Sequence, residues 1–245
     1  MNAAIIAIEE RKTTMGAPGT GSSGLDNPFF AALDSIHRDL ALRGGEVVRY
    51  PADMAPFLGV ARADAEIGEA FDALVPAGDE VLMLGIVPAR MPGNWRLEPF
   101  ADLAQMVREQ PLAVVDGPDI VELDERHRDD VLVLTALVYP HYFRPRTMEL
   151  GRYFGIYQDG RLAAMIGERL GTDAQQEISA VCTHPDFNGR GYARRLIALL
   201  SNDNLERGRL PFLHVSHQNH RAKQLYEQLG YSHRRDIGFW SLRRA

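Results

Sequence analysis

The residues best placed to do chemistry fall in one segment, Val181-Cys182-Thr183-His184-Pro185-Asp186-Phe187-Asn188-Gly189-Arg190-Gly191-Tyr192-Ala193-Arg194-Arg195-Leu196. An apolar run ends there, Pro185 breaks any strand ladder, and a Gly-x-Gly turn opens a helical pattern. The first turn of a helix carries backbone N–H groups without internal partners. With the helix dipole, those donors favour an anion. Gly189 and Gly191 permit close backbone approach and unusual dihedrals, and Arg190, Arg194 and Arg195 add positive charge. The chemistry suggested is a cradle for a pyrophosphate. An ordinary strand–turn–helix connection has the same signature, so the segment alone does not decide. It is not a P-loop, because the Gly-Lys-Ser/Thr ending is missing, and the third glycine of a dinucleotide fingerprint is absent.

A second segment runs Asn219-His220-Arg221-Ala222-Lys223-Gln224-Leu225-Tyr226-Glu227-Gln228-Leu229-Gly230-Tyr231. Ala222, Leu225, Tyr226 and Leu229 form an i, i+3, i+4, i+7 face, and Gly230 stands at the stop. Asn219 and Tyr226, seven apart, share a face two turns away. Taken alone, Tyr226 also reads as a core aromatic with its hydroxyl tied off. His214-x-x-His217-x-x-His220 does not aim three imidazoles at one point, because His214 falls in a strand and the others in the turn after it; no metal site is expected. Cys182 has no partner set for nucleophilic work and reads as a small buried hydrophobe. Arg234-Arg235 and Arg243-Arg244 read as solvated charge.

The elements that must position these groups follow from periodicity and punctuation. In the first part of the chain, 27–42 reads as a helix, 46–50 and 80–87 as strands, and 99–110 as a helix. Further on, 119–122 is a strand, and Asp124 can cap a helix whose stripe is Val131, Leu134, Leu137 and Val138, stopped by Pro140. Strands at 153–157 and 161–169 flank Asp159-Gly160, a strong hairpin signal. Then come a strand at 177–183, a helix at 191–207, a strand at 212–216, a helix at 219–229 and a strand near 237–242. This order gives an α/β class with a mixed sheet.

The 245 residues suit one large domain or two small ones. With 27 basic and 33 acidic side chains the net charge is −6, which does not suggest a nucleic-acid binder. One cysteine excludes a disulfide framework and a cysteine-rich zinc site. No apolar run approaches the roughly 20 residues needed to span a bilayer, and the short apolar start lacks the marks of a signal peptide. The expectation is a cytoplasmic protein acting without membrane or nucleic acid. Residues 13–24 are rich in Gly, Ser, Thr and Pro, so 1–24 reads as a flexible tail. Residues 25–112 then form an N-terminal α/β domain of unstated role, and 113–245 the domain that carries the chemistry.

Asn188-Gly189-Arg190-Gly191-Tyr192-Ala193 resembles the Arg/Gln-x-x-Gly-x-Gly/Ala signature of the GNAT superfamily of acyl-CoA-dependent N-acetyltransferases, with Asn188 departing from the usual Arg or Gln. The block from Asn219 to Tyr231 is similar to the family's Asn-x-x-Ala-x-x-Leu-Tyr-x-x-x-Gly-Phe/Tyr. The resemblance covers about 119–242. It implies a mixed, mostly antiparallel sheet in which two neighbouring parallel strands, 177–183 and 212–216, splay apart, with helices on both sides. The N-terminal region, from its size and mixed pattern, suggests a degenerate copy of that fold.

The resemblance also implies acetyl-CoA as cosubstrate, with no metal. Pantetheine would bond the backbone at Val181, Cys182 and Thr183, as an added strand does. The pyrophosphate would sit on Gly189, Arg190, Gly191, Tyr192, Ala193 and Arg194, and Asn219 would contact the cofactor arm. Tyr226 would protonate the departing thiolate. Glu177 is the candidate general base and His184 a weaker one. The Tyr142–Arg146 loop, with Arg144 and Arg146, would border the acceptor pocket. The expected reaction is acetyl transfer to a primary amine on a small molecule or peptide by direct attack. The alternative is a non-catalytic acyl-CoA-binding or regulatory module.

Overall fold

The structure, a computed structural model, describes residues 24–245 other than 115, 139 and 141. The stretch read as a flexible tail lies outside the described residues up to residue 23. In chain order the strands are β1 (Leu42–Gly44), β2 (Val47–Arg49), β3 (Leu58–Val60), β4 (Glu80–Leu84), β5 (Trp95–Pro99), β6 (Leu103–Val107), β7 (Val121–Leu123), β8 (Tyr153–Gln158), β9 (Arg161–Gly171), β10 (Gln175–Thr183), β11 (Leu210–Ser216), β12 (Ser232–Ile237) and β13 (Phe239–Arg244). The helices are α1 (Pro28–Asp34), α2 (Gly68–Leu74), α3 (Arg128–Val138), α4 (Tyr192–Glu206) and α5 (His220–Gln228).

Seven strands form one mixed sheet in the order β12-β6-β11-β10-β9-β8-β7. Its one parallel contact is β10 with β11, and the rest are antiparallel. On one face α4 and α5 bury Leu196, Ile197, Leu200 and Tyr226 against Leu213 and Val215. On the other, α3 packs Val131 and Leu134 near Met165 and Cys182, while Phe29 and Leu33 of α1 meet Leu170 and Phe212. A residue and its strand neighbour face opposite ways, so Phe212 and Leu213 serve different layers.

The run expected to be a helix at 99–110 is instead strand β6, with the end of strand β5 before it. All five residues of β6 are buried. A short run buried on both faces has no alternation to betray it, and it reads the same as a buried helix. The position of β6 was also illegible, since it lies between β11 and β12. β13 makes the reverse exchange, pairing with β4 and β5. The single late strand expected near 237–242 is thus two strands, one in each sheet. The helix expected over 27–42 is α1 followed by one 3-10 turn, Arg38–Leu40.

The N-terminal strands also meet in parallel, through one bridge between Phe57 and Leu82, with α2 connecting them. That repeats the order β10–α4–β11. The loop before α2 carries Asp64 and Glu66, with Glu69 in its first turn, a charge opposite to that before α4.

Local chemistry fixes the later elements. Asp124 caps the turn before α3, accepting from the Arg126 amide at 3.0 Å. Asp159 and Gly160, with φ of 51° and 72°, make the tight turn between β8 and β9. Asn204 of α4 is fully buried, and neither side-chain polar atom has a partner among the described residues. A buried amide left unpaired costs about 1–3 kcal/mol. Asn204→Leu, of similar volume, is therefore expected to raise the melting temperature by about 2–4 °C, which is about 1 kcal/mol for a chain of this size; differential scanning calorimetry checks it.

Candidate active site

β10 and β11 pair only from Gln175 with Leu210 to Glu177 with Phe212. Beyond Glu177 they diverge, and a cleft opens between them. Ser179, Val181 and Thr183 line it from β10, Asn219 and Tyr226 from α5, and Glu177 and His214 from its inner end. At the cleft β10 carries a bulge against β9. The register passes from Ser179–Gly167 to Cys182–Met165, leaving Ala180 and Val181 without register partners. Ala180 has φ of 49°, in the left-handed region, a strain of roughly 1–2 kcal/mol for a non-glycine residue. Such bulges occur next to active sites, where they re-aim or end pairing.

At the outer end the cleft runs into the turn before α4. Gly189 and Gly191 both have φ of 79°, a conformation that costs glycine nothing and other residues much. The backbone there makes no described hydrogen bond from the amides of Gly189 to Arg194; the first bonded amide is Arg195, which donates to Gly191 at 3.1 Å. Arg190, Arg194 and Arg221 line this end, and no carboxylate does. The guanidinium of Arg190 lies 4.9 Å from the Phe187 ring centre. The turn thus has the donors and the potential an anion needs.

Asn219 serves two purposes. Its Oδ1 caps α5, accepting from the Ala222 amide at 3.1 Å. Its Nδ2 is buried with no partner among the described residues and belongs to the cleft lining. A cap explains the first interaction, while the orphaned donor calls for a ligand acceptor.

Glu177 is 1 % exposed. Arg169 donates to it twice, Nε to Oε2 and Nη2 to Oε1, each at 2.8 Å. His214 Nδ1 lies 2.8 Å from Oε1. Gln105 Nε2 lies 3.0 Å from His214 Nε2 and donates to the Leu25 carbonyl at 2.7 Å, and Gln105 Oε1 accepts from Arg234 at 2.7 Å. Because Gln105 must present its amide nitrogen to Leu25 and its oxygen to Arg234, His214 Nε2 is an acceptor. Its proton is on Nδ1 and goes to Glu177. Burial pushes the Glu177 carboxyl up, but the charge and hydrogen bonds of Arg169, with His214, outweigh it and hold the group at about 2.

That depression has a consequence for stability. The unfolded chain binds the proton more readily than the native one, so the ion pair's contribution is complete above about 4.5, the ordinary carboxyl value, and is lost as pH falls toward 2. Melting temperatures between pH 6 and 2 should drop more steeply for the wild type than for Glu177→Gln across that window. At neutral pH Glu177→Gln should be the less stable protein, since it leaves Arg169 buried without its counter-charge.

The structure brings Glu177, Val181, Thr183, Asn219 and Tyr226 to one cleft and Gly189 to Arg194 to its outer end. Cys182 does not line it. Its side chain is buried toward α3, and burial pushes its thiol up to about 12, the state of an inert cysteine. Arg195 turns away and donates to the Pro118 carbonyl at 3.0 Å, so it adds no charge to the turn as expected. His184 accepts from the Asp186 amide at 3.2 Å and closes its loop. Arg146 of the loop after α3 is engaged by Glu149 and Asp53. The two C-terminal arginine pairs are not free charge: Arg234 and Arg235 hold Asp26, Arg243 holds Glu98 and Arg244 holds Asp72. Among the described residues no three His, Cys, Asp or Glu side chains are arranged to hold a metal, and no helix is long and apolar enough to cross a membrane. Sequence reasoning missed Arg169, Gln105 and Arg221. The first two lie outside both blocks, and only the sheet order brings them in.

A mixed sheet with one splayed parallel pair, and an amide-lined turn at its mouth, defines the acetyltransferase class of α/β fold. The family described as FR47-like protein matches residues 153–240. A GNAT-family protein from Novosphingobium aromaticivorans DSM 12444 is similar at 33% identity over 91% of this chain and 100% of that one, with a TM-score of 0.83. A GCN5-related N-acetyltransferase from Kribbella flavida shares the fold, with a TM-score of 0.59 at 16% identity over 87% and 93% of the two chains. No curated protein matches. This chain belongs to the GNAT family of acetyltransferases.

Proposed function

We propose that the protein transfers an acetyl group from acetyl-CoA to a primary amine by direct attack on the thioester. The observation that carries this reading is the continuity of the cleft: unbonded amides at Gly189 to Arg194, the orphaned Asn219 amide, the bulge at Ala180 and the Tyr226 ring lie along one path. Its outer end suits a diphosphate and its strand edges an extended amide arm. The amide beside the bulge, at Val181 or Cys182, can polarise the carbonyl. Tyr226 can supply the proton that the leaving thiolate takes up.

The amine's own proton is the costly one. A lysine-like amine, near 10.4 in solution, loses its proton at pH 7 at a cost of roughly 4 kcal/mol. Glu177, held at about 2, stores that proton poorly. We assign it an electrostatic role: its fixed negative charge stabilises the positive charge that develops on the attacking nitrogen. The ion pairing of Glu177 also favours the second reading, a binding module without turnover. Thiol release from acetyl-CoA over a panel of small amines and lysine peptides separates the two. Release that depends on an amine supports the enzyme, and CoA binding without release supports the module.

A further inference from the structure

Arg221 is the one side chain of α5's first turn that lines both the outer turn and the cleft between the strands. Its Nη2 stands 3.5 Å from Asn188 Oδ1, across the join of the two. Among the described residues it pairs with no carboxylate. The turn's other cations are held to one side, Arg190 over Phe187 and Arg194 at 3.3 Å from Gln228 Oε1. Arg195 is turned away. A cation in the first turn opposes the helix dipole, and α5 has no acidic residue there to offset it. Asn188 offers its oxygen to the join, and that oxygen alone would repel an anion. A guanidinium set against it, on the opposite wall from the amides, reverses the sign. A local arrangement that breaks a helix rule without a structural return marks a functional position.

We infer that Arg221 is a phosphate-binding residue of the carrier site, holding from α5 the phosphate nearest the pantetheine arm while the amides of Gly189 to Arg194 hold the diphosphate from α4. This deepens the acyl-CoA reading and rests on it. The planar guanidinium can meet two phosphate oxygens at once.

Calorimetric titration with CoA tests it. Arg221→Ala should bind CoA about tenfold more weakly at low salt, with Arg221→Lys between. The gap should narrow at high salt, as an exposed charge contact is screened. The ratio of CoA to pantetheine affinity, pantetheine lacking the phosphates, should fall by about the same tenfold. Unaltered CoA affinity in Arg221→Ala overturns the inference, and so does an equal loss for CoA and pantetheine, which would mark a merely structural role. A wild-type protein that fails to bind CoA would instead remove the acyl-CoA reading itself.

Discussion

Gly191→Glu is expected to weaken CoA binding by about a hundredfold or more. Three effects add. The residue caps α4 at φ 79°, and a side chain there costs roughly 1–2 kcal/mol of backbone strain. A Cβ at this position meets no atom within 4 Å, so the new side chain fits the folded protein and extends into the open side of the turn. There its carboxylate takes the place of an external anion among the unpaired amides and repels a diphosphate. Gly191→Ala separates the terms, since it carries the strain without the charge. Calorimetry should show a small loss for alanine and a large one for glutamate, with melting curves confirming that both variants fold. Equal, small losses would mean that the anion sits elsewhere.

Tyr226→Phe is expected to lower turnover by about a hundredfold while leaving CoA affinity nearly intact. Proton transfer by a positioned side chain contributes about 10²–10⁴ in rate, and the substitution removes only the hydroxyl. The ring remains packed beside Tyr231, whose ring centre is 6.0 Å away. An unpaired loss of kcat, without a matching change in Kd, identifies an interaction made as the thiolate departs. Thiol-release kinetics with the acceptor found by the amine screen give the measurement. Wild-type turnover in the variant would reject Tyr226 as the acid.

Much of this site was legible because its residues are local. The 3.6-residue stripe of α4, the Gly-x-Gly turn before it and the Asn219 cap of α5 are each contained within a dozen residues, and each forms where the spacing placed it. The hairpin at Asp159-Gly160 was equally plain. What could not be read depends on contacts between distant parts. β6 was mistaken for a helix because a strand buried on both faces shows no alternation. Its place between β11 and β12, and that of β13 between β4 and β5, are set by tertiary packing. The state of Glu177 depends on Arg169, eight residues away on the next strand, and on His214 across the parallel pair. Sequence identified the carboxylate, but only the fold shows a partnered one, and that changes the chemistry it can do.

Hydrogen exchange of the backbone with and without CoA bears most directly on the central claim. CoA, in contrast to ATP, should slow exchange at the amides of residues 189–194 and along β10 from Ala180 to Thr183. If CoA binds and these amides exchange at the free protein's rate, with protection appearing elsewhere, the carrier does not occupy this turn and the acyl-transfer account is contradicted.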